Sequence, residues 1–177
     1  PRFVYASSCS VYGKAVSDWV DETSPTNPQT AYGECKVKVE QDVGPMADSG
    51  FCVTFLRNAT AYGASPRIRF DIVLNNLAGL AWTTGRITMT SDGMPWRPLV
   101  HVQDIAAAVA AALAAPRRAV ASQVLNVGDD GNNYRIREIA EIIRDAFPDC
   151  RVELGKSNGD NRSYRVSFAK IARVLPG

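Results

Sequence analysis

"RFVYASSCSVYG", residues 2–13, opens on an unbroken apolar run that ends in two serines. A strand with one wet face alternates apolar and polar residues. This one does not, so both of its faces must be covered, as in the centre of a parallel sheet flanked by helices. The same pattern returns in "CVTFL" (52–56) and "SQVLNVG" (122–128). Between these runs lie segments with helical spacing. "TAYGECK" (30–36) starts a helix at Thr30, an N-cap residue type, and the pattern carries it to about Asp48. "RFDIVLNNLAGLAWTTG" (69–85) reads as a helix stopped by Gly85. "IAAAVAAALAA" (105–115) follows Asp104, read as its cap, and stops at Pro116. "YRIREIAEIIRDAF" (134–147) places Ile136, Ile139, Ala140, Ile143 and Phe147 on one helix face. Short strands are expected at "RITMTS" (86–91), "RPLVHV" (97–102) and "CRVEL" (150–154), and a last helix at "SFAKIARVL" (167–175). "SVYGKAVSDWVDETSPTNPQ" (10–29) reads as a long loop rich in turn residues. Strands alternating with helices predict an α/β fold.

A chain of 177 residues can bury a substantial core. Its net charge of +2 does not single out nucleic acid or an anionic membrane as a partner. No apolar run approaches the length of a membrane span. The four cysteines, Cys9, Cys35, Cys52 and Cys150, form no CxxC pair, so no metal is expected and all four are read as reduced thiols of a cytoplasmic protein. The buried-strand pattern begins at the second residue, which is how the interior of a longer protein looks.

Tyr32 and Lys36 stand four residues apart, on one face of the predicted helix. A YxxxK spacing alone also describes an ordinary solvated face. Its company changes its meaning. "YASSCSVYG" (5–13) precedes it, and "LRNATAYG" (56–63), "NNL" (75–77), "WRPLVHVQDIA" (96–106), "LNVG" (125–128) and "GDNRSYRVSFAKI" (159–171) follow in that order. This ordered set resembles the extended short-chain dehydrogenase/reductases, and more narrowly the NAD-dependent epimerase/dehydratase family that acts on nucleotide sugars. The resemblance covers residues 2 to about 175.

The resemblance implies the C-terminal part of a Rossmann-type parallel sheet plus a smaller α/β substrate-binding lobe. Residues 1–65 would carry the catalytic Ser/Tyr/Lys set and residues 66–177 the lobe, with strand 123–128 returning to the first sheet. It makes Tyr32 the base, Lys36 its partner and a ligand of the nicotinamide ribose, and Ser8 the hydroxyl that holds the reacting sugar oxygen. A free phenol titrates near pH 10, and an adjacent ammonium favours its ionised form. Ser7 and Asn58 join Tyr32 and Lys36 as cofactor contacts. Thr60, Asn76, Leu77, Arg97, Asp160 and Arg162, with Ser8, are the implied substrate contacts. A guanidinium fork suits the diphosphate. Arg67 and Arg69 read equally as phosphate ligands or loop charges. Cys9 reads as a small buried hydrophobe, and the lone histidine, His101, as a structural residue leading into a helix.

The 4,6-dehydratases of the family carry an Asp-Glu pair directly after the catalytic Ser/Thr. Cys9 and Ser10 stand there instead, so the resemblance implies a 4-epimerase acting on a UDP- or dTDP-hexose. A 4-reductase, a dehydratase, or a binding module or scaffold without chemistry are the alternatives. The implied cofactor is NAD, with NADP not separated from it, because the glycine-rich GxxGxxG loop that would distinguish them does not occur in the sequence. For that reason the chain alone is expected to be inactive. A homodimer through the helix of Tyr32 and Lys36 is implied as well.

Overall fold

The computed structural model describes residues 1–155 and 163–176. In chain order its elements are β1 (Arg2–Ser8), β2 (Lys14–Val20), α1 (Ala31–Val43), β3 (Cys52–Asn58), β4 (Thr60–Tyr62), α2 (Val73–Thr84), β5 (Arg86–Thr88), β6 (Trp96–His101) and α3 (Val102–Ala114). They continue with α4 (Arg117–Val120), β7 (Gln123–Val127), β8 (Asn133–Arg135), α5 (Ile136–Ala146), β9 (Arg151–Glu153), β10 (Ser163–Val166) and α6 (Ala169–Val174). The alternation of strand and helix expected from the sequence is present, and the fold is α/β.

β1, β3 and β7 form a parallel sheet in that order. The register sets Ser8 beside Asn58, and Asn58 beside Val127, so the three strands end level with one another. In open α/β sheets ligands bind at the carboxyl ends of the strands, so this line of strand ends is where a site belongs. β3 shows why an apolar run means a central strand: six consecutive residues from Cys52 to Arg57 are buried. The second sheet joins β4, β6 and β8, and β5 pairs with β9.

Two apolar clusters hold these layers. One gathers Val11, Tyr12, Val20, Leu56, Leu125, Val127 and Val166. The other packs Leu77 and Ala81 of α2 against Ile139, Ala140 and Ile143 of α5, with Ile87 and Leu99. The helical face predicted for α5 is therefore the face it buries.

Several elements depart from their sequence reading. Residues 14–20 are a strand, not part of a loop: β2 pairs in parallel with β10, with Trp19 beside Arg165 and Val20 beside Val166. The helix from Thr30 ends at Val43 rather than near Asp48, because Pro45 lies in the 3-10 turn that follows. Its N-cap is as expected, with Thr30 Oγ1 accepting from the Gly33 amide at 3.2 Å. Gly33 suits the close approach there: a Cβ would lie 3.0 Å from Pro28 and 3.1 Å from the Ser10 carbonyl. Helix α3 is capped by His101, whose Nδ1 accepts from the Gln103 amide at 3.3 Å, and Asp104 sits in the first turn instead of at the cap. His101 thus has the structural role expected of it. Its ring also packs edge-on against Tyr62 at 5.2 Å. Gly63 sits at φ +110° beside it, where a Cβ would lie 2.3 Å from His101 Nε2.

Candidate active site

A cleft of about 980 Å³ opens along the ends of β1 and β3 and between α1, α2 and β6. That is room for a large small-molecule ligand. Ser8, Tyr32, Lys36, Asn58 and Thr60 line it together with Asn76, Leu77 and Arg97. Residues far apart in sequence are therefore brought to one cavity. Asp160 and Arg162, the other expected substrate contacts, lie outside the described residues.

Ser8 ends β1, and its Oγ accepts from the Ser10 amide at 3.1 Å and the Ser10 hydroxyl at 2.9 Å. The 3-10 turn Cys9–Tyr12 that follows turns the chain away and leaves Ser8 at the cleft. Tyr32, in the first turn of α1, is 56% exposed, and its hydroxyl makes no hydrogen bond among the described residues. Lys36, one helical turn on, donates from Nζ to the Ala6 carbonyl at 2.7 Å. The same ammonium lies 5.3 Å from the Tyr32 ring centre and 4.6 Å from that of Tyr5. This geometry presents an unengaged phenol, an ammonium at its face and a hydroxyl on one wall, a set suited to moving a proton on and off a substrate oxygen.

Asn58 bears on whether this wall suits a nicotinamide cofactor. Its Oδ1 is buried with no hydrogen-bond partner, one of three such side-chain atoms among the described residues, and Asn58 lines the cleft. An acceptor of that kind fits a ligand that brings N–H or O–H groups, as a nicotinamide ribonucleotide does. Ser7 also lines the cleft, and its Oγ donates to Glu40 Oε1 at 2.5 Å, which leaves its lone pairs for a ligand.

The other side of the cleft comes from α2 and β6. Adjacent asparagines take different parts: Asn75 is buried, accepting from the Gly63 amide and donating to the Arg69 carbonyl, while Asn76 is exposed to the cleft. Arg97 is half-buried, with Nη1 donating to the Trp96 carbonyl at 2.8 Å. Arg69, left open by the sequence, reaches the cleft but is paired with Asp71 at 2.6 Å. Both side chains are well exposed, so that pair contributes little to stability.

Beneath the wall runs a buried polar chain that the sequence reading missed. Arg57 donates from Nε and Nη2 to both oxygens of Glu40, and from Nη1 to the Tyr12 phenol at 3.1 Å. Tyr12 donates to Asn126 Oδ1 at 2.8 Å. Burial works against the Arg57 charge, but the hydrogen bonds and charge interactions with Glu40 and Tyr12 together outweigh it and hold the guanidinium above its ordinary value. Burial pushes the Tyr12 phenol up, so it stays a neutral donor. The signal for this network was an arginine inside an otherwise buried strand, "CVTFLRN", and a glutamate one turn beyond Lys36.

Cys9 is 1% exposed and donates to the Arg57 carbonyl at 3.1 Å. Burial pushes its thiol well above the ordinary cysteine range, so it is no acid or base at neutral pH. Cys35 is the exposed cysteine, and Cys52 and Cys150 are buried. Iodoacetamide at neutral pH should accordingly add one label to the native chain, at Cys35, and label all four cysteines after denaturation. Mass spectrometry reads the count, and native labelling of Cys9 would overturn its assignment as an inert core thiol. Among the described residues no cluster of His, Cys, Asp and Glu could hold a metal ion. No helix there is long and apolar enough to cross a membrane.

The chain is similar to several known proteins. The chain is 28% identical to UDP-glucose 4-epimerase of Halalkalibacterium halodurans over 191 aligned positions, covering 98% of this chain and 57% of that protein. The solved structure of MoeE5 in complex with UDP-glucuronic acid and NAD matches at a TM-score of 0.83 and 27% identity, over 98% of this chain and 58% of that one. TunA, described as an NAD-dependent NDP-hexosamine 5,6-dehydratase, shares the fold at a TM-score of 0.86 and 24% identity, over 99% of this chain and 57% of that one. The chain thus spans a little over half the length of these relatives. The NAD-dependent epimerase/dehydratase family matches residues 1–128, most of the chain's length, and the chain belongs to that family.

Proposed function

We propose that this chain is the catalytic wall and substrate lobe of a nucleotide-sugar 4-epimerase that uses NAD. The observation that carries the reading is the convergence of Ser8, Tyr32 and Lys36 with Asn76 and Arg97 on one cleft. In this reading residues 1–65 supply the Rossmann wall and residues 66–177 the lobe, with β7 completing the first sheet. Bound NAD would supply the hydride acceptor and donor. Tyr32, Lys36 and the unpartnered Oδ1 of Asn58 would hold its nicotinamide ribonucleotide end. Tyr32 takes the proton from the sugar hydroxyl and later returns it. Lys36, fixed by the Ala6 carbonyl, keeps a positive charge at the phenol. Ser8, with its Oγ already accepting from Ser10, donates its own proton to the reacting oxygen. Arg97 meets the diphosphate, and Thr60, Asn76 and Leu77 border the rest of the substrate. Asp160 and Arg162 belong to the same proposed lobe by their motif.

Epimerisation is favoured over water elimination because the positions after Ser8 hold a buried thiol and a hydroxyl, not carboxylates. The proposal also pairs two copies through α1, whose following turn leaves Met46 62% exposed. It places the protein in the cytoplasm, where four free thiols persist. Mass spectrometry of the products from UDP- and dTDP-hexoses, with the natural full-length protein and NAD, tests the reaction class. An isomer of unchanged mass, separated from the substrate by chromatography, is expected. A product lighter by one water would mean dehydration, and one lighter by two hydrogens with NADH formed, a 4-keto sugar released by a reductase running in reverse; either would overturn the reading.

A further inference from the structure

α1 is tied to the strand that carries Ser8 at two successive turns. Lys36 Nζ donates to the Ala6 carbonyl at 2.7 Å, and Glu40, one turn further on, accepts from the hydroxyl of the next residue, Ser7, at 2.5 Å. Glu40 has no freedom left. Its Oε1 takes Ser7 and Arg57 Nε, and its Oε2 takes Arg57 Nη2 at 2.6 Å. Both side chains are at least nine-tenths buried. Arg57 belongs to β3, and through Tyr12 and Asn126 the chain of contacts reaches β7. One helix and three strand ends are thus registered by a single set of directional bonds. Tyr32 lies on the same helix, two turns before Glu40.

We propose that Glu40 and Arg57 are positioning residues, whose buried pair sets α1 against the end of β1 and so holds Tyr32 and Lys36 at the cleft wall formed by Ser8. A buried ion pair is a weak source of net stability, since well-packed apolar residues of the same volume often do as well. What apolar residues lack is direction. A helix rises about 1.5 Å per residue, so a helix free to settle by less than one residue moves Tyr32 on the order of 1 Å. Misplacement of that size costs on the order of 10²-fold in rate.

The test is the double variant Glu40→Met with Arg57→Met, which removes both charges together. This chain, labelled with 3-fluorotyrosine, is examined by ¹⁹F NMR, with the Tyr32 line identified by Tyr32→Phe. The Tyr32 line should shift or broaden while those of Tyr62 and Tyr134, in the other apolar cluster, stay in place. In the full-length protein kcat should fall on the order of 10²-fold with KM unchanged, because neither residue lines the cleft. If the double variant does not fold, Arg57→Lys carries the same test: it keeps the charge and loses the two-pronged bond. An unmoved Tyr32 line with parental kcat in a folded variant overturns the proposal. The kinetic arm rests on the epimerase reading and the spectroscopic arm does not. If Tyr32→Phe itself leaves turnover intact, it is that functional reading that fails, and the ¹⁹F result still decides the positioning role.

Discussion

Replacing Tyr32 by phenylalanine is expected to lower kcat of the full-length protein by about 10²–10⁴-fold, the range for a lost general acid–base group. The same change should leave stability within about 0.5 kcal/mol of the parent, because little is removed from the fold. Tyr32 is 56% exposed and its hydroxyl bonds to nothing among the described residues. A hydroxyl with no hydrogen-bond partner among the described residues, at a cleft and beside a fixed ammonium, is free for the role proposed for it. Turnover and the melting curve of the variant check the two halves of the statement together. Near-parental kcat would make Tyr32 an ordinary surface tyrosine and remove the base from the proposed mechanism. A large fall in melting temperature would show that the rate loss was a folding defect.

The largest stability effect is expected from breaking the buried pair on one side. Arg57→Met leaves the Glu40 carboxylate buried with only Ser7 as donor. Loss of one partner of a buried ion pair costs about 3–5 kcal/mol, because the remaining charge has been taken out of water without compensation. For a domain of this size that corresponds to a melting temperature lower by roughly 6–20 °C. The phenol of Tyr12 would also lose its Arg57 donor, though it keeps Asn126 as acceptor. Thermal unfolding checks the value. A single variant as stable as the parent would mean that water reaches Glu40 and that the pair is not the closed unit described above.

What could be read from the sequence was what neighbouring residues settle among themselves. The apolar run of β1, the cap at Thr30, the stop at Gly85 and the apolar face of α5 each depend on a few residues close in the chain. Ser8, Tyr32 and Lys36 could be singled out because their motifs stand in an order that resembles a known family, and the fold brings the three to one cleft. β2 and β10 were not legible, since each is a strand only by pairing with the other from the far end of the chain, and Lys14, Ser17 and Asp18 read locally as loop. Residue type alone does not choose between Asn75 and Asn76, and only the resemblance pointed to Asn76; the packing of α2 against Gly63 and Arg69 turns Asn75 inward and leaves Asn76 to the cleft. Glu40 stands among the charges of α1 and Arg57 just past the apolar run "CVTFL", and nothing local pairs the two. Only the tertiary fold places each within 2.6 Å of the other, and a charge can be buried only where such a partner meets it.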